Sequence, residues 1–191
     1  MLRGSRCETA KCPMEKQWRQ QPPGMHAFRR GRASEYGVRL AEKQKVKRHY
    51  GVYERQFMRY FHMAERIKGN TGTGLLGLLE RRLDNAVYKL GFASSRASAR
   101  MTITQGHIHI NGRRVNIPSY LVKVGDKISV KAAEKSQKLI RSRLEELGEP
   151  SLQNWLALDM TKLEGSVMAL PGRDDVMIPV EENLIVELCS K

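Results

Sequence analysis

The chain has 191 residues, with 34 Lys and Arg against 20 Asp and Glu, a formal net charge of +14 and an isoelectric point near 10.0. That length holds one large domain or two small ones. No apolar run reaches the ~18 residues that cross a bilayer, and three cysteines, Cys7, Cys12 and Cys189, are too few for a disulfide framework and point to a reducing compartment. Positive charge in this excess opposes compaction unless a polyanion neutralises it, which puts nucleic acid ahead of an anionic membrane surface as the expected partner. The excess is uneven: residues 1–80 carry +10, residues 81–141 carry +10 and residues 142–191 carry −6. The last segment is therefore expected to pack on the basic part or to face a protein.

Residues 1–34 read as an irregular basic arm. The segment before Cys12 has no apolar core and is not expected to be a secretory leader, and Glu8, Glu15, Pro22 and Pro23 fit an organellar transit peptide poorly. Pro23-Gly24 sets a turn, and Arg29, Arg30 and Arg32 suit an arm that orders on a polyanion. A helix is predicted from Glu35 with Ser34 as its N-cap, carrying Lys43, Lys45, Lys47 and Arg48 and interrupted at Gly51. Val52, Gln56, Tyr60 and Ala64, flanked by Phe57 and Phe61, predict a second helix with an aromatic core face, ended by Gly69, while Arg55, Arg59 and Arg66 point elsewhere. Gly69 to Gly74 reads as a connector; no Lys-Ser or Lys-Thr follows it, so it is not a phosphate loop. Leu75, Leu79, Leu83 and Val87 predict one helix that runs to Gly91.

Ser94 is expected to cap a short helix over residues 95–105. Beyond Gly106 the period changes to two, Asn111-Gly112 signals a hairpin, and Lys127 to Lys131 is a further strand. Residues 134–147 read as helical, and Leu184 to Leu188 as a closing strand. Arg96 and Arg100, four apart, are expected to share one exposed face beside the amino end of their helix, where free N–H groups favour a phosphate. With Asn111, Arg113 and Arg114 at the hairpin, and Asn116, Ser119 and Tyr120 nearby, this makes a donor-rich surface suited to a folded RNA backbone. On this reading, replacing both Arg96 and Arg100 weakens RNA binding and leaves the fold intact.

The string from Leu79 to Arg96, continued by Gly106 to Tyr120, resembles the RNA-binding module named after small-subunit ribosomal protein four. Residues 22–26, 34–37, 42–57 and 179–187 resemble that protein outside the module, so the resemblance runs in order over nearly the whole chain and is specific to the bacterial or organellar branch. It implies an α+β fold: a mostly helical first domain at 1–80 with the basic arm, an inserted RNA-binding module at 81–143 of two short helices and an antiparallel sheet, and an acidic segment at 144–191 that returns to the first domain. It implies no enzyme activity but a structural role in the cytoplasmic ribosome, an organellar ribosome remaining open. The family binds the 5′ domain of 16S-type rRNA at a five-helix junction, nucleates assembly of the subunit body, touches small-subunit ribosomal protein five at an interface tied to decoding accuracy, lies near the mRNA, and in some bacteria represses its own operon.

The residues expected to meet RNA are Lys43, Lys45, Lys47, Arg48, Tyr50, Arg81, Lys89, Ser95, Arg96, Arg100, His107, Asn111, Arg113, Arg114, Asn116, Ser119 and Tyr120. No membrane contact and no homo-oligomer are expected. Tyr50, Tyr53 and Tyr120 are the candidates for stacking on bases. Many family members hold zinc with four cysteines near the amino end; here only Cys7 and Cys12 stand, too few for a tetrahedral site unless His26 and another ligand complete it, so no cofactor is expected. Met25 and Ala27 replace the glutamine and glycine common in the family. The chief rival is a free-standing RNA-binding translational regulator that represses an mRNA. An RNA-modifying enzyme that uses the same module would need a catalytic domain for which 191 residues leave no room.

Overall fold

Ser34 starts the first helix: its Oγ accepts from the Gly37 N–H at 3.1 Å, and Gly51, at φ 62, ends α1 (Glu35–Tyr50) by turning its own N–H back to the Arg48 and Lys47 carbonyls. These details come from a computed structural model that describes residues 7, 9–13, 16, 24–25, 34–148 and 152–190. Of the expected turn at Pro23-Gly24 only Gly24, at φ 109, is described; the arginines of the arm and His26 lie outside the described residues. In α2 (Glu54–Glu65) the aromatic face is core as predicted, with Phe57, Tyr60, Phe61 and Ala64 buried. This helix ends at Glu65, short of Gly69.

The predicted connector is largely helix. Asn70 Oδ1 accepts from the N–H groups of Gly72 at 2.8 Å and Thr73 at 3.4 Å, which starts α3 (Thr71–Glu80) inside the glycine-rich stretch. The side-chain cap outweighs the low helix propensity of the glycines. Gly72 is needed for closeness: a Cβ there would lie 2.7 Å from the Cβ of Glu182. The single helix predicted from Leu75 to Leu90 breaks at Arg82, whose ψ of 139° is extended. Leu83 N donates to Tyr120 O at 2.8 Å and Val122 N to Arg81 O at 2.9 Å, so a passing strand takes the hydrogen bonds that would have continued the helix. The leucine stripe is buried throughout, but it feeds two cores.

After the break, α4 (Leu83–Lys89) and α5 (Arg96–Thr104) form a helical pair. Ser95, not Ser94, is the N-cap of α5, its Oγ accepting from Ser98 N. Strands β1 (Ile108–Ile110) and β2 (Arg113–Arg114) turn at Asn111 and Gly112, with φ of 50° and 77°; positive φ at both positions is the turn whose twist suits a two-residue hairpin. Next come β3 (Lys127–Val130), α6 (Glu134–Leu147), β4 (Leu156–Asp159), β5 (Glu164–Val167) and α7 (Glu182–Cys189). The sheet is antiparallel with order β2-β1-β3-β5-β4.

The fold is α+β, a helical first lobe beside a sheet-bearing second lobe. The second core gathers Leu83, Val87, Leu90, Phe92 and Ile103 with the sheet residues Ile108 and Ile128. The first gathers Tyr50, Phe57, Phe61, Leu75 and Leu79. The acidic segment corrects the expectation that all of it packs on the first domain. Trp155, Leu156, Leu163 and Val167 close the second core, whereas Val176, Val180 and Ile185 join the first. The predicted last strand is the helix α7. Ile185, Val186 and Cys189 pack on the first core at helical spacing, and a helix sets them together against α1 and α3 where alternation would not.

Candidate nucleic-acid interface

Asp84 lies at the joint between the lobes, 1% exposed. Its Oδ1 accepts from Arg82 Nε at 3.0 Å, and its Oδ2 accepts from Arg82 Nη2 and from Arg100 Nε, both at 2.7 Å. Arg82 Nη1 continues to the Tyr60 hydroxyl at 2.8 Å. Arg100 reaches across to the first lobe, donating from Nη1 to Gly51 O and from Nη2 to Tyr50 O, both at 2.6 Å. Those carbonyls lie at the end of α1, where no intrahelical donor remains, and a cation there also suits the helix dipole.

Arg96 completes the joint. It donates from Nε to Asn85 Oδ1 at 2.8 Å, and its guanidinium lies 5.1 Å from the Tyr50 ring centre and 4.8 Å from that of Tyr88. Tyr50 in turn donates its hydroxyl to Glu80 Oε1, and Asn85 Nδ2 donates to Glu80 Oε2 at 2.6 Å. Burial, then the Glu80 carboxylate, pushes the Tyr50 phenol well above its ordinary range, so it stays a donor.

This corrects the expected arginine pair. Arg96 is 9% exposed and Arg100 is engaged by Asp84 and two carbonyls, so their guanidinium groups are interior braces and not a shared solvent face. The reason is the meeting of α1 with α5, which spacing along α5 alone does not reveal. Removing both residues is accordingly expected to disturb the fold, against the reading from sequence. Tyr50 is buried with its ring occupied, whereas Tyr53, 85% exposed, keeps a free face.

Other expected contacts are spoken for within the protein. Lys43 and Lys47 pair with Glu54, and Lys45 pairs with Glu42. Lys89 pairs with Glu80 and donates to Asp175 O and Gln153 Oε1. Arg81 Nε donates to Val122 O, and the Ser95 hydroxyl caps α5. Asn111 holds the hairpin, Nδ2 donating to Asp126 Oδ1 and Oδ1 accepting from Lys127 N. His107 Nδ1 meets Ser136 Oγ, and burial, followed by the charges of Arg143 and Lys131, lowers its pKa. Ser119 and Tyr120 are half-buried behind the hairpin. His49 is held down to about 3 by burial and then by the Arg96 charge, so it stays neutral near pH 7 and adds nothing to the cationic surface.

Arg48, Arg113, Arg114 and Asn116 remain exposed, and Arg48, Arg113 and Arg114 have no acidic partner among the described residues. The register places Arg114 opposite His109 and His109 opposite Ser129, so these share the sheet face turned away from the core, together with Lys127 two residues along β3. Lys123, Lys127 and Lys131 are also exposed. They were not singled out from sequence, although alternation along β3 already puts Lys127 and Lys131 opposite Ile128 and Val130. The Arg114 guanidinium rests over Gly106, where a Cβ would fall 2.7 Å from its Nη2.

Among the described residues no three His, Cys, Asp or Glu side chains come together in a way that could hold a metal ion. Cys7 is half-buried and Cys12 buried, and two thiols alone fall short of a tetrahedral site; His26, the further ligand considered, lies outside the described residues. Among the described residues no helix is long and apolar enough to cross a membrane.

Residues 1–80 match the Ribosomal protein S4/S9 N-terminal domain and residues 81–128 match the S4 domain. The chain is 54% identical over 190 residues to small ribosomal subunit protein uS4 of Caldicellulosiruptor bescii, covering 100% of this chain and 90% of the relative. It is 51% identical to the uS4 protein of Halothermothrix orenii at the same coverage, and 52% identical over 191 residues to uS4A of Alkaliphilus metalliredigens, again covering 100% and 90%.

Proposed function

The chain belongs to the uS4 family of structural, non-enzymatic proteins of the small ribosomal subunit, and from that premise we propose that it binds the 5′ domain of 16S-type rRNA as a primary assembly protein. The reading rests above all on the outer sheet face, where Arg114 and Lys127 with Arg113 at the hairpin stand exposed and, among the described residues, without acidic partners, in the segment that matches the S4 domain. A sheet face is stiff, and the joint at Asp84 ties it to the first lobe, so the cations are held in fixed positions. Fixed cations favour a pre-shaped RNA junction over a flexible strand, because only the former meets all of them without reordering. Contact with small-subunit protein five, and through it an effect on decoding accuracy, we assign to residues 142–191. There Met168, Leu170 and Met177 offer exposed apolar area among carboxylates.

The test is binding to the isolated 5′ domain over a salt series, against an unrelated RNA of equal size. A preference of ~10³ or more with a steep salt slope is expected for a specific binder. Equal weak binding to both would reduce the chain to a generic basic protein and bring forward the mRNA-repressor reading. A companion variant, Gly106→Ala, probes the sheet face. Its Cβ displaces Arg114, and a left-handed alanine at φ 78 costs about 1–2 kcal/mol. The variant is expected to melt slightly lower and to lose about 0.7–0.9 from the salt slope, one phosphate contact. A parental slope in this variant would mean that Arg114 does not touch RNA.

A further inference from the structure

The sequence holds six asparagines, and only Asn111 is followed by glycine. That pair is chemically labile. The backbone nitrogen after an asparagine, once deprotonated, can attack the side-chain amide, and a side chain on the following residue hinders its approach. Gly112 offers no such hindrance, and no atom lies within 4 Å of where its Cβ would be. Both residues are exposed at the tip of the β1–β2 hairpin, and among the described residues no hydrogen bond engages the Gly112 N–H. The nucleophile is open, but the electrophile is held. Asn111 Nδ2 donates to Asp126 Oδ1, and Asn111 Oδ1 accepts from Lys127 N, both at 2.9 Å. Asp126 is 7% exposed and is itself fixed by the Lys123 N–H at 2.9 Å, so it cannot follow a swinging amide.

We propose that Asn111 is a deamidation site which the folded hairpin holds shut, so that the protein ages chemically at this turn whenever the hairpin opens. The step needs only water and its hydroxide. The Gly112 nitrogen gives its proton to hydroxide and bonds to Asn111 Cγ. The Cγ–Nδ2 bond breaks, and ammonia leaves with a proton taken from water. The cyclic imide then takes up one water and opens at either carbonyl, giving aspartate or the β-linked isoaspartate. Opening is local, because β2 is a strand of 2 residues at the edge of the sheet, and such segments open at far less cost than the whole fold. Either product breaks the clamp. Aspartate sets a carboxylate oxygen where Nδ2 stood, against the buried Asp126 carboxylate. Isoaspartate adds a carbon to the backbone of a two-residue loop, and the register of Ile110 opposite Arg113 does not accommodate it. Both put negative charge between Arg113 and Lys127, and neither reverts to asparagine.

The experiment incubates the full chain in mildly alkaline buffer, folded and in urea, and follows each asparagine by peptide mass and by labelling with an isoaspartyl methyltransferase. In urea, Asn111 is expected to convert ahead of the other asparagines. In the folded chain it should convert ~30-fold more slowly or less, the factor carried by one neutral hydrogen bond and one to a carboxylate. Asp126→Ala should recover ~10-fold or more of that rate in the folded protein. That variant also frees the Lys123 N–H, so hydrogen exchange at the Lys127 amide of the parent gives a second measure. The same opening releases both groups, and protection of that amide should match the slowing at Asn111. Asn111→Asp, the product made in advance, is expected to melt below the parent. An Asn111 that stays intact in urea would overturn the site. Equal rates in the folded and unfolded chains, or a Lys127 amide without protection, would overturn the clamp.

Discussion

An Asp84→Ala protein is expected to lose about 3–5 kcal/mol of stability, the usual cost of leaving buried cations without their carboxylate. Asp84 accepts three hydrogen bonds from two arginines. Arg82 is 2% exposed and cannot turn to water. Arg100 is half-buried, and without Asp84 it holds the end of α1 only through two carbonyls. A domain has about 5–15 kcal/mol in all, so this is a large share of the total. At ~2–4 °C per kcal/mol for a chain of this size, the melting temperature should fall by roughly 6–20 °C. Asp84→Asn keeps the shape and one acceptor and should fall between the parent and alanine. An alanine variant that melts with the parent would show that the two lobes are held by packing alone. RNA affinity should fall with the joint, because the sheet face and the first lobe would no longer keep one spacing.

The other large effect is expected from ending the chain at Gly148. That removes Trp155, Leu156, Leu163 and Val167 from the second core and Val176, Val180 and Ile185 from the first. At ~1.5–3 kcal/mol for each buried side chain the loss is on the order of 10–20 kcal/mol, as large as the whole stability of a domain. It also leaves the β3 edge unpaired. The shortened protein should show no near-ultraviolet circular dichroism and no cooperative melt. Removing only residues 180–191 takes Ile185 and α7 from the first lobe and leaves the sheet whole. That shorter cut should loosen the first lobe while hairpin cations stay in place. A native-like melt in the chain ending at Gly148 would mean that each core is closed without the acidic segment.

Signals that act within a few residues were readable in the sequence. Ser34 and Gly51 bound α1 as their chemistry dictates, the aromatic face of α2 is core, and Asn111-Gly112 makes the hairpin. What failed depended on partners distant along the chain. The leucine stripe from Leu75 to Val87 gives no hint of the break at Arg82, because residues near 120 impose it. Arg96 and Arg100 share a helix face as spacing requires, but that face meets the end of α1, about fifty residues earlier, and so is interior. The asymmetry of charge suggested that the acidic segment would pack on the basic part or face a protein, and its apolar side chains do enter both cores. It could not tell that the segment divides, because net charge carries no address. At the candidate interface the hairpin arginines were legible as a turn flanked by cations.

The strand order, with β5 and β4 added beside β3 from the far end of the sequence, bears on how the chain is made. A nascent chain emerges in order, at ~5–20 residues per second. Residues 1–141, which together carry +20, leave first, and the −6 segment that closes both cores comes last. For a few seconds of every round of synthesis the polypeptide is therefore at its most cationic while its apolar interior is still open. Any polyanion or holding chaperone meets it in that interval ahead of its own tail. Nonsense products that stop short of Trp155 stay in that condition for life, as sticky, highly charged debris that quality control has to clear.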